Sequence, residues 1–131
     1  MDAKKFLTRI VLFIFSILLL NYLAMKFYWY SSIWYFDMPM HFLGGVWLGL
    51  ALLWFLKIKE ISLMLIFKMI LGVLIIGVLW EIFEIILNNY TTQSPFNSLD
   101  TISDIFFDLS GGCFAILYFI KKIMPIKSNI V

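Results

Sequence analysis

The residues able to do chemistry in this chain of 131 residues are few, and they recur at helical spacing. They form three sets, each with members three or four positions apart: Asp37 and His41; Glu81 and Glu84; Asp100, Asp104 and Asp108. Residues at that spacing share one face of a helix. His41 is the only histidine of the chain, so any imidazole chemistry must use it.

Carboxylates gathered around one imidazole suit three kinds of site. They are the donor groups of a divalent cation such as Mg, Mn or Zn. They also build proton relays in transporters, and a protonated acid beside an ionised one suits general acid–base hydrolysis. The candidate catalytic residues are Asp37, His41, Glu81, Glu84, Asp104 and Asp108, and the candidate metal ligands are His41, Glu81, Glu84, Asp104 and Asp108.

The elements that must position these residues are membrane-spanning helices. The chain is 63% hydrophobic and 14% charged, with a mean hydropathy of +1.00, whereas a soluble domain is about 25% charged. A soluble globular domain, a disordered chain and a basic nucleic-acid binder are therefore excluded. A bilayer-spanning helix needs about 20 mostly apolar residues, which predicts an all-α, four-transmembrane-helix bundle as a single domain over 1–131. The spans are expected at about 6–25, 38–56, 66–87 and 101–123.

Two local patterns refine the second span. Asp37 is expected to cap its N-terminus, with Pro39 in the first turn. Gly45 and Gly49 form a small-xxx-small match that would let another helix approach closely. The aromatic segment 27–36 that precedes this span is typical of an interfacial belt.

Charge predicts the orientation of the bundle. Nine of the ten basic residues fall on one side of a four-span arrangement, and only Lys26 falls on the other. Basic residues concentrate on the cytoplasmic side, so we expect both termini to be cytoplasmic and the protein to be a multi-pass protein of the plasma membrane.

The acidic residues predict a site near the opposite face. At a rise of about 1.5 Å per residue, His41, Glu84 and Asp104 share a level about 25 Å from the lysines that mark the inner boundary, and Glu81 and Asp108 lie at about 20 Å. A carboxylate at that depth costs several kcal/mol and usually faces a cavity or a partner. The sequence therefore predicts a polar pocket that opens outward.

Three segments resemble known families of small multipass membrane proteins, the VanZ-like and YjdF-like families. They are DMPMHF at 37–42, WEIFE at 80–84 and DIFFDLSGG at 104–112. Glu84 and Asp108 stand where VanZ-like proteins tend to have Gln and Asn, and the loop before the last motif has no Arg, so the last motif is closer to the YjdF-like pattern. The resemblance implies an integral membrane protein of poorly defined activity, linked in the VanZ case to glycopeptide resistance.

These observations lead to one main functional prediction and two alternatives. The main prediction is a cation-dependent site that acts on a lipid or cell-envelope-linked substrate, with membrane lipids as partners and no nucleic acid. The alternatives are a proton- or cation-coupled transporter or transporter subunit, and a non-catalytic envelope or resistance accessory protein. The sequence leaves open whether the protein is an enzyme, whether a divalent cation binds, and the oligomeric state.

Overall fold

The computed structural model describes residues 2–58, 60–93 and 95–123, and it contains four helices long and apolar enough to cross a membrane. The elements are α1 (Ala3–Lys26), the short α2 (Trp29–Ser32), α3 (Asp37–Phe55), α4 (Leu63–Thr91) and α5 (Ser98–Tyr118), which continues into a π-helical turn (Phe119–Ile123). The predicted all-α, four-span bundle is confirmed. The third membrane span, α4, extends beyond the predicted 66–87 at both ends. Residues 1 and 124–131 lie outside the described part of the chain, and the cytoplasmic placement of the termini stays a prediction.

Side-chain caps begin three of the four long helices. The Asp2, Ser62 and Asn97 side chains accept hydrogen bonds from the first backbone N–H groups of α1, α4 and α5. The expectation that Asp37 caps the second span is wrong, because α3 begins at Asp37 itself and Phe36 holds the cap position without a side-chain hydrogen bond. The Asp37 carboxylate instead lies near His41, one turn further along the helix.

Helices α3 and α5 form the most extensive contact of the bundle and meet backbone to backbone. A Cβ placed on Gly45 would collide with the carbonyl oxygen of Asp108, and a Cβ placed on Gly111 would collide with the carbonyl oxygen of Phe42. One turn further along, a Cβ on Gly49 would lie 2.7 Å from the Cβ of Ala115. The close approach expected at Gly45 and Gly49 is therefore present, and glycines on both helices make it possible.

The bundle has an apolar end and a polar end. We call the end near Lys57, Lys68 and Lys121 the lysine end, and the end near residues 92–97 the loop end. The main apolar core cluster is Phe6, Ile10, Leu53, Met69, Ile116 and Phe119. Much of the outer surface is also apolar, with exposed side chains such as Leu19, Phe55 and Ile75, as expected of helices that face lipid.

Candidate functional site

All of the buried polar and charged side chains among the described residues belong to one cluster. They are His41 on α3, Glu81 on α4, and Asp104 and Asp108 on α5, and each is at most 9% exposed. Asp37 and Glu84 lie beside them and are partly buried. The six residues predicted from spacing and depth therefore come together from three helices.

His41 stands between carboxylates on both edges of its ring. Its Nδ1 lies 3.2 Å from Oδ1 of Asp108, within hydrogen-bond distance. Its Nε2 lies 3.6 Å from Oδ1 of Asp37 and 3.7 Å from Oδ2 of Asp104, which is too long for a hydrogen bond. A neutral imidazole carries one proton. When Nδ1 holds that proton and donates to Asp108, the lone pair of Nε2 is directed toward the other two carboxylates.

Two groups of three residues can each present one ligand atom to a metal ion. The first is Asp37, His41 and Asp104, and the second is His41, Glu81 and Glu84; within each group the ligand atoms lie within 4.8 Å of one another. Asp37, which the sequence prediction named as a catalytic residue, belongs to the first group. Asp108, which it named as a candidate metal ligand, belongs to neither group and contacts the other edge of the imidazole. The assignment of metal ligands stays a prediction.

Glu81 has one carboxylate oxygen without a partner. The residue is 5% exposed, and its Oε1 is buried with no hydrogen-bond partner among the described residues, although its carboxylate forms a hydrogen bond with Thr101. A buried acceptor without a partner costs about 1–3 kcal/mol, and more when it is charged. Glu81 is therefore a group that a bound ligand or ion would satisfy.

A glycine of α4 makes room for the Asp108 side chain. A Cβ on Gly77 of α4 would lie 2.9 Å from Oδ2 of Asp108 and in ordinary contact with its Cβ and Cγ. Gly77 precedes Glu81 by one helical turn, so it lies on the same face as Glu81. That spacing is the only sequence signal for its role, and the sequence alone does not indicate which side chain it faces.

A cavity of about 260 Å³ opens beside the cluster at the loop end, between α4, α5 and the segment that joins them. Its polar lining, as far as the described residues form it, consists of carboxylates, side-chain amides and one hydroxyl, with no lysine, arginine or histidine. The lining residues are Glu81, Glu84, Ile85, Asn88, Asn89, Pro95, Phe96, Asn97, Asp100, Thr101 and Asp104. The predicted acidic pocket is therefore present, whereas its outward orientation in the membrane remains a prediction.

Tyr30 on α2 is a neighbour of the site that sequence reasoning missed. Its hydroxyl donates to Oδ1 of Asn21 at 2.6 Å, and its ring packs edge-on against Phe36, next to the start of α3. Burial raises the pKa of Tyr30 to about 12, and the negative charges of Asp37 and Glu84 contribute to that rise. Tyr30 therefore stays protonated at neutral pH.

Comparison with known proteins gives a family but no activity. A family model described as a predicted membrane protein, DUF2238, matches residues 4–123, which include every residue of the cluster. No significant match was found among curated proteins or among solved structures.

Proposed function

Given that the chain belongs to the DUF2238 family of predicted membrane proteins, we propose that it binds one divalent cation at His41 and acts with it on a lipid or cell-envelope-linked substrate. In this proposal Asp37, His41 and Asp104 supply the ligand atoms. Asp108 orients the imidazole, and Glu81 and Glu84 face the substrate.

The spacing around Nε2 of His41 carries the proposal. Two ligands about 2.1 Å from one ion lie about 3.4 Å apart at a tetrahedral angle and about 3.0 Å apart at an octahedral one. The carboxylate oxygens of Asp37 and Asp104 lie 3.6 and 3.7 Å from Nε2. These separations are longer than hydrogen bonds and closer to the tetrahedral value. One imidazole with two carboxylates therefore favours zinc, or an ion of similar preference, over magnesium.

Asp108 lies where a group that orients the His41 imidazole toward the ion is expected. A metal-bound histidine usually donates its other ring N–H to a carboxylate, which fixes the tautomer and raises the basicity of the ligand nitrogen. The Asp108 carboxylate is 3.2 Å from Nδ1, on the edge of the ring opposite the two ligand carboxylates. It is itself positioned by Gly77 and by the close contact of α3 with α5.

Glu81 and Glu84 line the cavity and also lie close to His41. Asp104 lines the cavity with them, and the second candidate group places both glutamates within reach of His41. A bound cation polarises an oxygen of the substrate or a bound water, and a carboxylate beside it accepts or returns the proton. Because the site lies within the membrane-spanning helices, a substrate anchored in the membrane or at its surface can reach it.

The two alternatives receive less support. A transporter needs a polar path past the site, but the buried side chains described toward the lysine end, such as Leu53, Met69 and Ile116, are apolar. In a purely structural role, acids are expected to be paired with one another or with donors, and Oε1 of Glu81 has no such partner in the described part of the chain. The resemblance to VanZ-like and YjdF-like proteins agrees with an envelope-linked role and remains part of this proposal.

Zinc titration of the purified protein, after removal of any affinity tag, tests the proposal. We expect one ion per chain, and Asp104→Asn should weaken binding by more than the roughly 100-fold loss seen for outer-shell partners. Glu60→Gln is the matched control, because Glu60 is exposed in the turn between α3 and α4, at the lysine end. Failure of the parent protein to bind zinc, manganese or magnesium, or equal affinity in both variants, would overturn the proposal.

A further inference from the structure

We propose that the cavity beside Glu81 and Glu84 binds a primary ammonium group, presented by a lipid headgroup or by a free amine. The inference deepens the proposed function, on which it rests for the reaction, by naming the class of substrate. It is carried by the charge, size and unsatisfied acceptor of the cavity.

The charge of the lining selects a cationic ligand. Four carboxylates line the cavity, from Glu81, Glu84, Asp100 and Asp104. Within the described part of the chain, no lysine, arginine or histidine lines it. The one basic residue that the four-span arrangement places at this end, Lys26, lies over the ring of Phe27, 5.9 Å from its centroid. Even when Asp104 is assigned to a metal ion, three carboxylates remain, so a ligand with only negative charge, such as inorganic phosphate or a carboxylate, would be repelled, whereas a zwitterionic headgroup can enter with its ammonium first.

The size of the cavity selects an organic group over a second metal ion. Its volume is about 260 Å³, whereas one water molecule occupies roughly 30 Å³. The wall also carries amides from Asn88 and Asn89 and the apolar faces of Ile85 and Phe96. Amides pair with hydroxyl and ester oxygens, and an aromatic face attracts an ammonium. A small headgroup fits such a lining.

Glu81 supplies the acceptor that identifies the cation as a primary ammonium. Its Oε1 is buried without a hydrogen-bond partner among the residues that the structure describes, and the residue lines the cavity. A primary ammonium has three N–H donors, enough for Oε1 of Glu81 and for oxygens of Glu84 and Asp100. A quaternary ammonium has no N–H donor and would leave Oε1 of Glu81 unsatisfied, which is the basis of the test.

The test compares short-chain lipids that differ in the headgroup amine. Dihexanoyl-phosphatidylethanolamine and dihexanoyl-phosphatidylcholine are titrated into the full chain in detergent, with and without zinc, and free ethanolamine is titrated in parallel. We expect the ethanolamine lipid to bind at least about tenfold more tightly than the choline lipid, the ratio that one charge-assisted hydrogen bond provides. Comparable binding of free ethanolamine would assign the site to a free amine, whereas much weaker binding would assign it to a lipid headgroup.

Variants decide whether the cavity is responsible for the preference. Glu81→Gln should reduce the tenfold preference to below about twofold, and Glu60→Gln should leave it unchanged. If Glu81→Gln does not fold, as judged by helical circular dichroism, Glu84→Gln replaces it, because Glu84 is only partly buried. Equal affinity for the two lipids in the parent protein, or a preference retained in the folded variant, would overturn the inference.

Zinc binding measured on the same samples separates this inference from the proposed function. Amine selectivity without zinc binding would leave the ammonium site standing and overturn the cation centre. Zinc binding without amine selectivity would leave the cation centre standing and overturn the ammonium site.

Discussion

Gly111→Ala is predicted to separate α3 from α5 and to destabilise the protein, whereas Gly44→Ala is its matched control. The added methyl of Gly111→Ala would lie against the carbonyl oxygen of Phe42, 2.7 Å from the backbone nitrogen of Val46 and 3.0 Å from the carbonyl carbon of Gly45. All three obstacles are backbone atoms, so no side chain can turn away. At Gly44 nothing lies within 4 Å of the added methyl.

The magnitude follows from the difference between the two variants. Both replace a helical glycine by alanine, and the gain of up to about 1 kcal/mol in helix propensity cancels between them. The remaining term is overpacking, about 1–3 kcal/mol, which corresponds to about a 5- to 150-fold change in the unfolding equilibrium constant. Gly111 follows Asp108 by one turn, so the displacement should also weaken zinc binding.

Reversible unfolding in mixed dodecyl maltoside and sodium dodecyl sulfate micelles, followed by far-ultraviolet circular dichroism, measures that difference. We expect Gly44→Ala to be at least as stable as the parent protein and Gly111→Ala to be clearly less stable than both. Stabilities of the two variants within about 0.5 kcal/mol of each other would refute the backbone contact between α3 and α5, because an ordinary surface substitution has effects of that size.

Three further predictions concern the site and its orientation. Asp108→Asn should weaken zinc binding by about 10- to 100-fold without changing the stoichiometry. An unchanged affinity would show that Asp108 does not orient the His41 imidazole. Zinc affinity should fall as the pH is lowered, since the ligands must be deprotonated. Calorimetry in two buffers of different ionisation enthalpy should detect protons released on zinc binding. The absence of proton release would contradict binding to titrating ligands. In a Cys113→Ala background, an impermeant maleimide added to intact cells should label Tyr90→Cys and spare Lys57→Cys, and the opposite pattern would reverse the predicted topology.

The acidic cluster was predictable because charge is scarce in this chain. Only 14% of the residues are charged, and a carboxylate within an apolar run is costly enough to mark a functional or paired position. A regular rise along each helix then gives its depth. His41, Glu81, Asp104 and Asp108 are accordingly found together and buried. The roles of the individual residues depend on which edge of the imidazole each carboxylate faces, and sequence spacing does not contain that information.

Asp37 was predicted both as a helix cap and as a site residue on the face of His41, and only the cap is wrong, because α3 begins at Asp37 itself. The neighbour of the site that sequence reasoning missed depends on contacts between distant segments. Tyr30 belongs to an aromatic segment whose composition indicates only an interface. The left-handed backbone of Tyr28 precedes the short α2 that carries Tyr30, and the Tyr30 hydroxyl bonds to Asn21 of α1. A left-handed tyrosine has no strong sequence signal.

X-ray absorption spectroscopy of the zinc-loaded, tag-free protein tests the central claim most directly. His41 is the only histidine in the chain, so imidazole scattering around the ion must come from this residue. The proposed centre predicts one imidazole nitrogen together with oxygen ligands at about 2.0–2.2 Å, and loss of the imidazole signal in His41→Ala. A shell of oxygen atoms alone, or a spectrum that is the same in His41→Ala, would contradict a metal centre at His41.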